Sequence, residues 1–328
     1  MTESLAINFA DIEDAAIRLR GQVVETPLLE SPMLNELVGG RLLVKAECLQ
    51  RTGAFKLRGA TNALAAMDAE TRVRGVVTHS SGNHAQAIAA AAKTWGVPAT
   101  IIMPDDAPAL KVALTKAHGA RIIQGPRAER EDLAARAVAE TGGVLIPPFD
   151  HPDVIAGQGT IGLEIMDQCA AQEVVPDQVL VCCGGGGLTT GIATAVKGRN
   201  ADTAVWAVEP EHYDDWVRSL EAGEIRANGP MEPTLCDAVQ TQAPGKLTFP
   251  IGKALLTGAV AVSEEEVKRA VVLAFLHLKI VVEPGGAVAL AAVLAGKVPS
   301  KGKVSVVTAS GGNVDPEVFA RILSETAI

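Results

Sequence analysis

Apolar positions along the chain follow two alternating rhythms. From residue 75 onward, short runs that are apolar at almost every position give way to longer stretches in which apolar residues recur every three or four. "GVVTHS" precedes "NHAQAIAAAAKTW", "ATIIMP" precedes "PALKVALTKAH", and "ARIIQ" precedes "AEREDLAARAVAE". The rhythm returns with "QVLVCC" and "LTTGIATAVKG", with "TAVWAVEPE" and "DDWVRSLEA", and with "KVSVVTASGG" and "DPEVFARILSE". A short continuous apolar run predicts a strand buried on both faces, and the longer period predicts a helix laid over it. Strand followed by helix is the unit of a parallel sheet, so the expected class is α/β. No self-similarity at roughly 20 to 50 residues accompanies the pattern, which excludes a solenoid.

Two stretches interrupt it. "PPFDHPDV" at 147–154 crowds prolines and aspartates together and reads as a crossing point between domains. The length suits two domains, with residues 1–74 and 151–328 expected to form the larger and 75–150 the smaller, and the active site in the cleft between them. Residues 228–252, "NGPMEPTLCDAVQTQAPGKLTFPIG", are punctuated by glycine and proline and show no period; such long stretches inside compact domains tend to be functional loops.

Composition narrows the class further. Of the 328 residues 48% are hydrophobic but only 3% aromatic, an aliphatic excess that suits helices on buried strands. Lys and Arg number 29 against 38 Asp and Glu, a balance that repels phosphate backbones and argues against nucleic acid as a partner. There is no basic leader followed by an apolar run, and no stretch of about 18 uninterrupted apolar residues. The expectation is a soluble, cytoplasmic protein with no membrane partner. Five cysteines without CxxC spacing fit free thiols in a reducing compartment.

Candidate chemistry lies at the strand-to-helix junctions. "SSGNHAQ" (80–86), "CCGGGGLTTG" (182–191) and "TASGGNVD" (308–315) each place glycine where a strand ends, and in open parallel sheets ligands bind in the crevice beyond those ends. Four consecutive glycines, Gly184, Gly185, Gly186 and Gly187, cost too much chain entropy for a casual turn, and they let backbone N–H groups surround an anion at a helix start. The run therefore reads as a phosphate cup. It fails the dinucleotide fingerprint, because the last glycine position falls on Thr189 or Thr190, and no GxxxxGK[ST] occurs.

With "GAFKLRGA" at 53–60 preceding these three loops, the sequence resembles the pyridoxal-phosphate enzymes of the tryptophan-synthase β fold, and within them the threonine/serine dehydratase and serine racemase family. The likeness runs from "TPL" at 26 to "SGGNVD". It implies pyridoxal 5'-phosphate as cofactor, with Lys56 forming the Schiff base and abstracting the substrate α-proton; desolvation must lower the basicity of such a lysine. It places Phe55 near the ring, Asn83 on the ring oxygen, Gly184 to Gly187 and Leu188 on the phosphate, and Glu283 among the cofactor contacts. Ser81 is expected on the face opposite Lys56, as proton donor or aid to the leaving group. Ser80, Ser81, Gly82 and His84 are expected at the substrate carboxylate, joined by Thr241. Ser310 falls at the pyridine nitrogen, where a neutral partner keeps the electron sink weak and favours prompt β-elimination. Glu209, Asp215 and the Tyr213 carbonyl match a divalent-cation site suited to Mg²⁺ or Ca²⁺.

The resemblance implies a small hydroxy amino acid as substrate and a homodimer as assembly. L-Serine and L-threonine are the default, giving a 2-oxo acid and ammonia. Serine racemisation and dehydration of 3-hydroxyaspartate stay open, with Arg130 in "AEREDL" the candidate cation for a second carboxylate. A β-replacement enzyme and a non-catalytic phosphate-ligand sensor are remoter readings. The sequence departs from the family's common pattern at Ala54, where a serine is usual, and in "DAVQTQ", which lacks a glycine after the aspartate. The chain ends soon after "SGGNVD", so no feedback through an appended regulatory domain is expected.

Overall fold

The structure is a computed structural model describing residues 5–80, 82–105, 107, 109–230 and 232–327. Its strands, in chain order, are β1 (Leu28–Glu30), β2 (Arg41–Lys45), β3 (Val76–His79), β4 (Ala99–Pro104) and β5 (Arg121–Gly125), then β6 (Val144–Leu145), β7 (Gln178–Cys182), β8 (Ala204–Pro210), β9 (Gly258–Val262) and β10 (Val304–Thr308). They form two sheets. One has six strands in the order β1-β2-β10-β7-β8-β9, and the other four in the order β5-β4-β3-β6. Every pairing is parallel except β1 with β2. The predominantly apolar runs occupy central positions: β7 is buried at every residue, whereas the edge strands β1 and β9 are only part-buried. That is the burial a helix-flanked parallel sheet requires.

All six strand-and-helix pairs expected from the periodicity are present. Residues 228–252 differ in part from expectation, because a helix begins inside them at Thr248 and runs to Leu255. Pro250 is tolerated there because its missing N–H falls in the first turn, where that group has no partner within the helix.

The long helix Pro152–Ala171 fixes the geometry of the site. It packs against both the helix Lys56–Ala66 and the helix Gly187–Arg199. Small residues make this approach possible. A Cβ on Gly157 would sit 2.7 Å from the Cα of Gly59, and one on Gly191 would sit 2.4 Å from the carbonyl oxygen of Ile155. Two loops that carry chemistry are thus locked to one rod. All five cysteines are free and buried. No described helix is long and apolar enough to cross a membrane.

Candidate active site

Lys56 is the first residue of its helix, where Phe55 occupies the cap without a side-chain hydrogen bond. Its amine donates to the carbonyl of Pro148 at 2.7 Å and lies 5.0 Å from the Phe55 ring centroid. Burial brings its pKa down from 10.5 to about 8. A half-buried lysine in that range holds a usable neutral fraction near physiological pH, as a nucleophilic amine must.

Ser310 reaches the same place from the large sheet. It is buried at the end of β10, its N–H donates to Gly286 O at 3.1 Å, and its carbonyl accepts the N–H of Phe55, also at 3.1 Å. The lysine loop and the serine loop are therefore hydrogen-bonded to each other directly.

Asn83 opens the helix Asn83–Trp95, capped by Gly82 with no side-chain bond. Its amide is held at both ends. Nδ2 donates to Glu283 Oε1 at 2.6 Å, and Oδ1 accepts from Asn313 Nδ2 at 2.8 Å. Asn313 also donates to the carbonyl of Thr52 at 2.8 Å. These contacts fix which way the amide faces and leave one N–H of Asn83 unspent. Glu283 is buried at the cap of the helix Pro284–Leu294, and burial, then the charge of Asp237, pushes its carboxyl up to about 7.

His84 is also buried, and its Nε2 lies 3.1 Å from the carbonyl of Ile146. A carbonyl only accepts, so Nε2 carries the proton and Nδ1 keeps a lone pair. Nδ1 is buried without a partner among the described residues. Burial, then the nearby Lys56 charge, holds the ring's pKa down to about 3. Ser80 donates its N–H to Ile102 O at 3.1 Å, and its hydroxyl accepts from Gly82 N at 3.3 Å. Around Gly82 a Cβ would meet nothing within 4 Å, leaving the start of this helix open. Ser81 lies outside the described residues.

The glycine run is shaped from outside. The carbonyl of Gly184 accepts from Trp216 Nε1 at 2.7 Å, and that of Gly185 from Thr248 Oγ1 at 2.6 Å and Gly245 N at 3.1 Å. In a trans peptide the N–H points opposite the carbonyl, so turning these oxygens outward aims the following N–H groups inward. A Cβ on Gly185 would lie 2.4 Å from the Phe149 ring, and Gly186, at φ 96°, would bring one 2.2 Å from Trp216. Gly186 caps the helix Gly187–Arg199 without a side-chain bond, and Leu188 is buried in its first turn. Uncapped N–H groups at a helix start fit a phosphate. Thr241 stands beside Gly184, with its hydroxyl buried and unpartnered among the described residues.

Four other expected residues are Arg130, Glu209, Tyr213 and Asp215. Arg130 begins the helix Arg130–Thr141, exposed, with its guanidinium 3.9 Å from Glu131. Glu209 is buried and accepts the N–H groups of Trp216 at 3.0 Å and Val217 at 3.1 Å. Asp215 accepts from Asn228 at 2.6 Å on one oxygen, while the other is buried with no partner among the described residues. Burial pushes both carboxyls up, Asp215 to about 7, and the charge of Asp215 adds to the rise at Glu209. Tyr213 is buried between them in sequence. Among the described residues no group of three or more His, Cys, Asp or Glu surrounds a metal position.

Sequence reasoning passed over several residues that shape the site. Asn313 stood inside a quoted loop, and Pro148 and Phe149 inside the proline-rich crossing. Trp216 and Thr248 carry no local signal, since a tryptophan or threonine that receives a loop carbonyl looks like any core residue.

The arrangement defines a class: a parallel α/β protein with an uncapped, glycine-built helix start that fits a phosphate, and a half-buried lysine amine whose basicity is lowered. Comparison with known proteins agrees. The family model described as "Pyridoxal-phosphate dependent enzyme" matches residues 19–311. L-threonine ammonia-lyase of Thermotoga maritima is 42% identical over 322 residues, 97% of this chain and 79% of that one. L-threo-3-hydroxyaspartate ammonia-lyase of Saccharomyces cerevisiae is 42% identical over 319 residues, 96% of each chain. The structure of maize serine racemase superimposes with a TM-score of 0.91 at 37% identity, covering 98% of both chains. This chain belongs to the pyridoxal-phosphate-dependent enzymes of the tryptophan-synthase β-like fold, in the group shared by ammonia-lyases and serine racemases.

Proposed function

We propose that the protein catalyses β-elimination of a small hydroxy amino acid such as L-threonine or L-serine, releasing a 2-oxo acid and ammonia. The observation that carries this reading is the Lys56 amine, lowered to about 8 and hydrogen-bonded to Pro148 O in a loop tied to Ser310. Pyridoxal phosphate bound here supplies an electron sink for charge left at the substrate α-carbon. The chain's own residues do the rest. The N–H groups of Gly184 to Gly187 and Leu188 would hold the phosphate, Phe55 would contact the ring, and Asn83, its amide fixed by Glu283 and Asn313, would donate to the ring oxygen. Lys56 Nζ would hold the cofactor before substrate enters and would then take the α-proton.

Ser310 is neutral, so as partner of the ring nitrogen it would offer no carboxylate to keep that nitrogen protonated. A weak sink of this kind would favour loss of the substrate β-hydroxyl, which Ser81 would assist by protonation. Ser80, Gly82 and Thr241 bind the substrate carboxylate at the open helix start. His84, with a lone pair on Nδ1, joins them only by accepting or by taking up a proton.

Residues 1–74 with 151–328, and 75–150, act as two domains around this cleft. Glu209, Asp215 and the Tyr213 carbonyl hold Mg²⁺ or Ca²⁺, supported by two buried carboxylates and an unpartnered Asp215 oxygen. The cation stabilises and does not react. The active assembly is a homodimer.

A second reading is serine racemisation or 3-hydroxyaspartate elimination, favoured by relatives of both kinds at similar identity. The test incubates the purified enzyme with L-serine, D-serine, L-threonine and the 3-hydroxyaspartates, following oxo acid and chirality together. Oxo acid from L-threonine and L-serine is expected. Chirality change without oxo acid would favour racemisation, and oxo acid from hydroxyaspartate alone would displace the proposed substrates.

A further inference from the structure

Two residues beyond Lys56, Arg58 is fully buried. Its guanidinium is gripped by two carboxylates at once. Nε and Nη2 donate to Glu47 at 2.9 and 2.8 Å, and Nη1 and Nη2 donate to Glu164 at 2.5 and 2.8 Å. The remaining N–H, on Nη1, goes to Thr160 Oγ1 at 3.3 Å, and Nη2 also lies 3.2 Å from Val24 O. Lys45, also fully buried, adds a second cation, donating to Glu164 at 2.6 Å, Thr26 O at 2.6 Å and Gln168 at 3.0 Å. Thr26 closes the circuit with a bond to Glu47 at 2.5 Å.

Two cations and two anions are thus neutralised with nearly every donor used. Removing such charges from water is costly, and an apolar cluster of equal volume commonly serves stability as well. Stability alone is therefore a weak reason for the network. Its location supplies a stronger one. Glu164, Thr160 and Gln168 all project from the long helix Pro152–Ala171, and the same helix sends Gln158 Oε1 to the N–H of Gly59 at 3.2 Å. Just before that helix, Pro148 O receives the Lys56 amine. Residues 56, 58 and 59 are all pinned to one partner segment.

We infer that Arg58 is the positioning residue for Lys56, its fork to Glu47 and Glu164 fixing the first helical turn so that the amine stays buried against Pro148 O. The inference rests on the reading of Lys56 as the reacting amine. A guanidinium suits the task because its planar fork fixes angle as well as distance, which an ammonium does not. His84 is the titratable neighbour whose own pKa responds to Lys56.

The test uses Arg58→Lys and Glu164→Gln. Glu164 is the more exposed carboxylate, so Glu164→Gln leaves a folded protein to measure if Arg58→Lys does not fold. Competitive acetylation of the cofactor-free protein across pH, mapped by peptide mass spectrometry, reads the Lys56 titration midpoint. That midpoint should rise by about one pH unit or more as the amine gains solvent. In the loaded enzyme kcat should fall at least about tenfold with KM within about twofold, the pattern of lost alignment. Arg41→Lys, which weakens the peripheral pair with Glu30, serves as a control expected to move neither. Variants that lose stability yet keep both the midpoint and kcat of the wild type would overturn the inference. The acetylation readout needs no turnover, so a failure of the proposed reaction is distinguishable from a failure of this positioning role.

Discussion

Lys56→Met should abolish turnover and, near pH 7, make the cofactor-free protein more stable. Burial depresses the lysine from 10.5 to about 8. At 1.36 kcal/mol for each pH unit, the ammonium form costs the folded state about 3 kcal/mol. A lysine whose folded value lies below its unfolded one binds its proton less well when folded. The penalty is therefore complete below about pH 8 and fades as pH rises towards 10.5. Methionine keeps most of the side-chain volume and removes the charge, but it forfeits the hydrogen bond to Pro148 O, worth about 1 kcal/mol. The net gain is about 2 kcal/mol at pH 7, turning into a loss of about 1 kcal/mol above pH 10.5. Urea unfolding of both cofactor-free proteins from pH 7 to 11 measures the difference. A variant less stable at pH 7, by an amount that does not change with pH, would refute a desolvated amine at this position.

Gly186→Ala forces a side chain into a left-handed conformation and against Trp216, a combined cost of about 2–5 kcal/mol; equilibrium dialysis should show cofactor affinity at least about tenfold weaker. If Ser310 partners the ring nitrogen as proposed, Ser310→Asp should lower the ratio of 2-oxo acid to racemised or transaminated product from L-serine, read by chiral chromatography. Borohydride reduction of the holoenzyme followed by peptide mapping should find the pyridoxyl group on Lys56 and nowhere else. Chelation should lower the unfolding midpoint, with Mg²⁺ or Ca²⁺ restoring about 2–3 kcal/mol at concentrations near 100 times Kd, and Asp215→Asn should lose that response.

The parts of the fold that rest on a simple periodicity were readable from the chain. Strands β3, β4, β7, β8 and β10 are predominantly apolar runs, and their following helices keep a clear three-to-four spacing. The helix Pro152–Ala171 escaped for a physical reason. It is buried along most of its length, so it has no polar face to mark a period, and its Gly157, Gly159 and Gly162 lower helix propensity while permitting close packing. Lys56 could be singled out only through distant loops, because nothing within "GAFKLRGA" separates a buried amine from a solvated one. Arg58 in the same octapeptide carries no local sign of burial, since its partners lie at 47 and 164. Asn313 escaped in the same way. Its role is to hold Asn83 across 230 positions of sequence, a relation that no local pattern encodes.

The five buried thiols have a practical consequence. Burial raises every one of them, Cys48 to about 12 and Cys169 to about 11. Thiol reagents attack the thiolate, so the native chain should be nearly silent towards maleimide while folded. A single cysteine introduced at Val175, which is 67% exposed, would then take a fluorophore or spin label alone, with no native cysteine removed. The burial that conceals the thiols makes the unaltered protein a ready background for site-directed labelling.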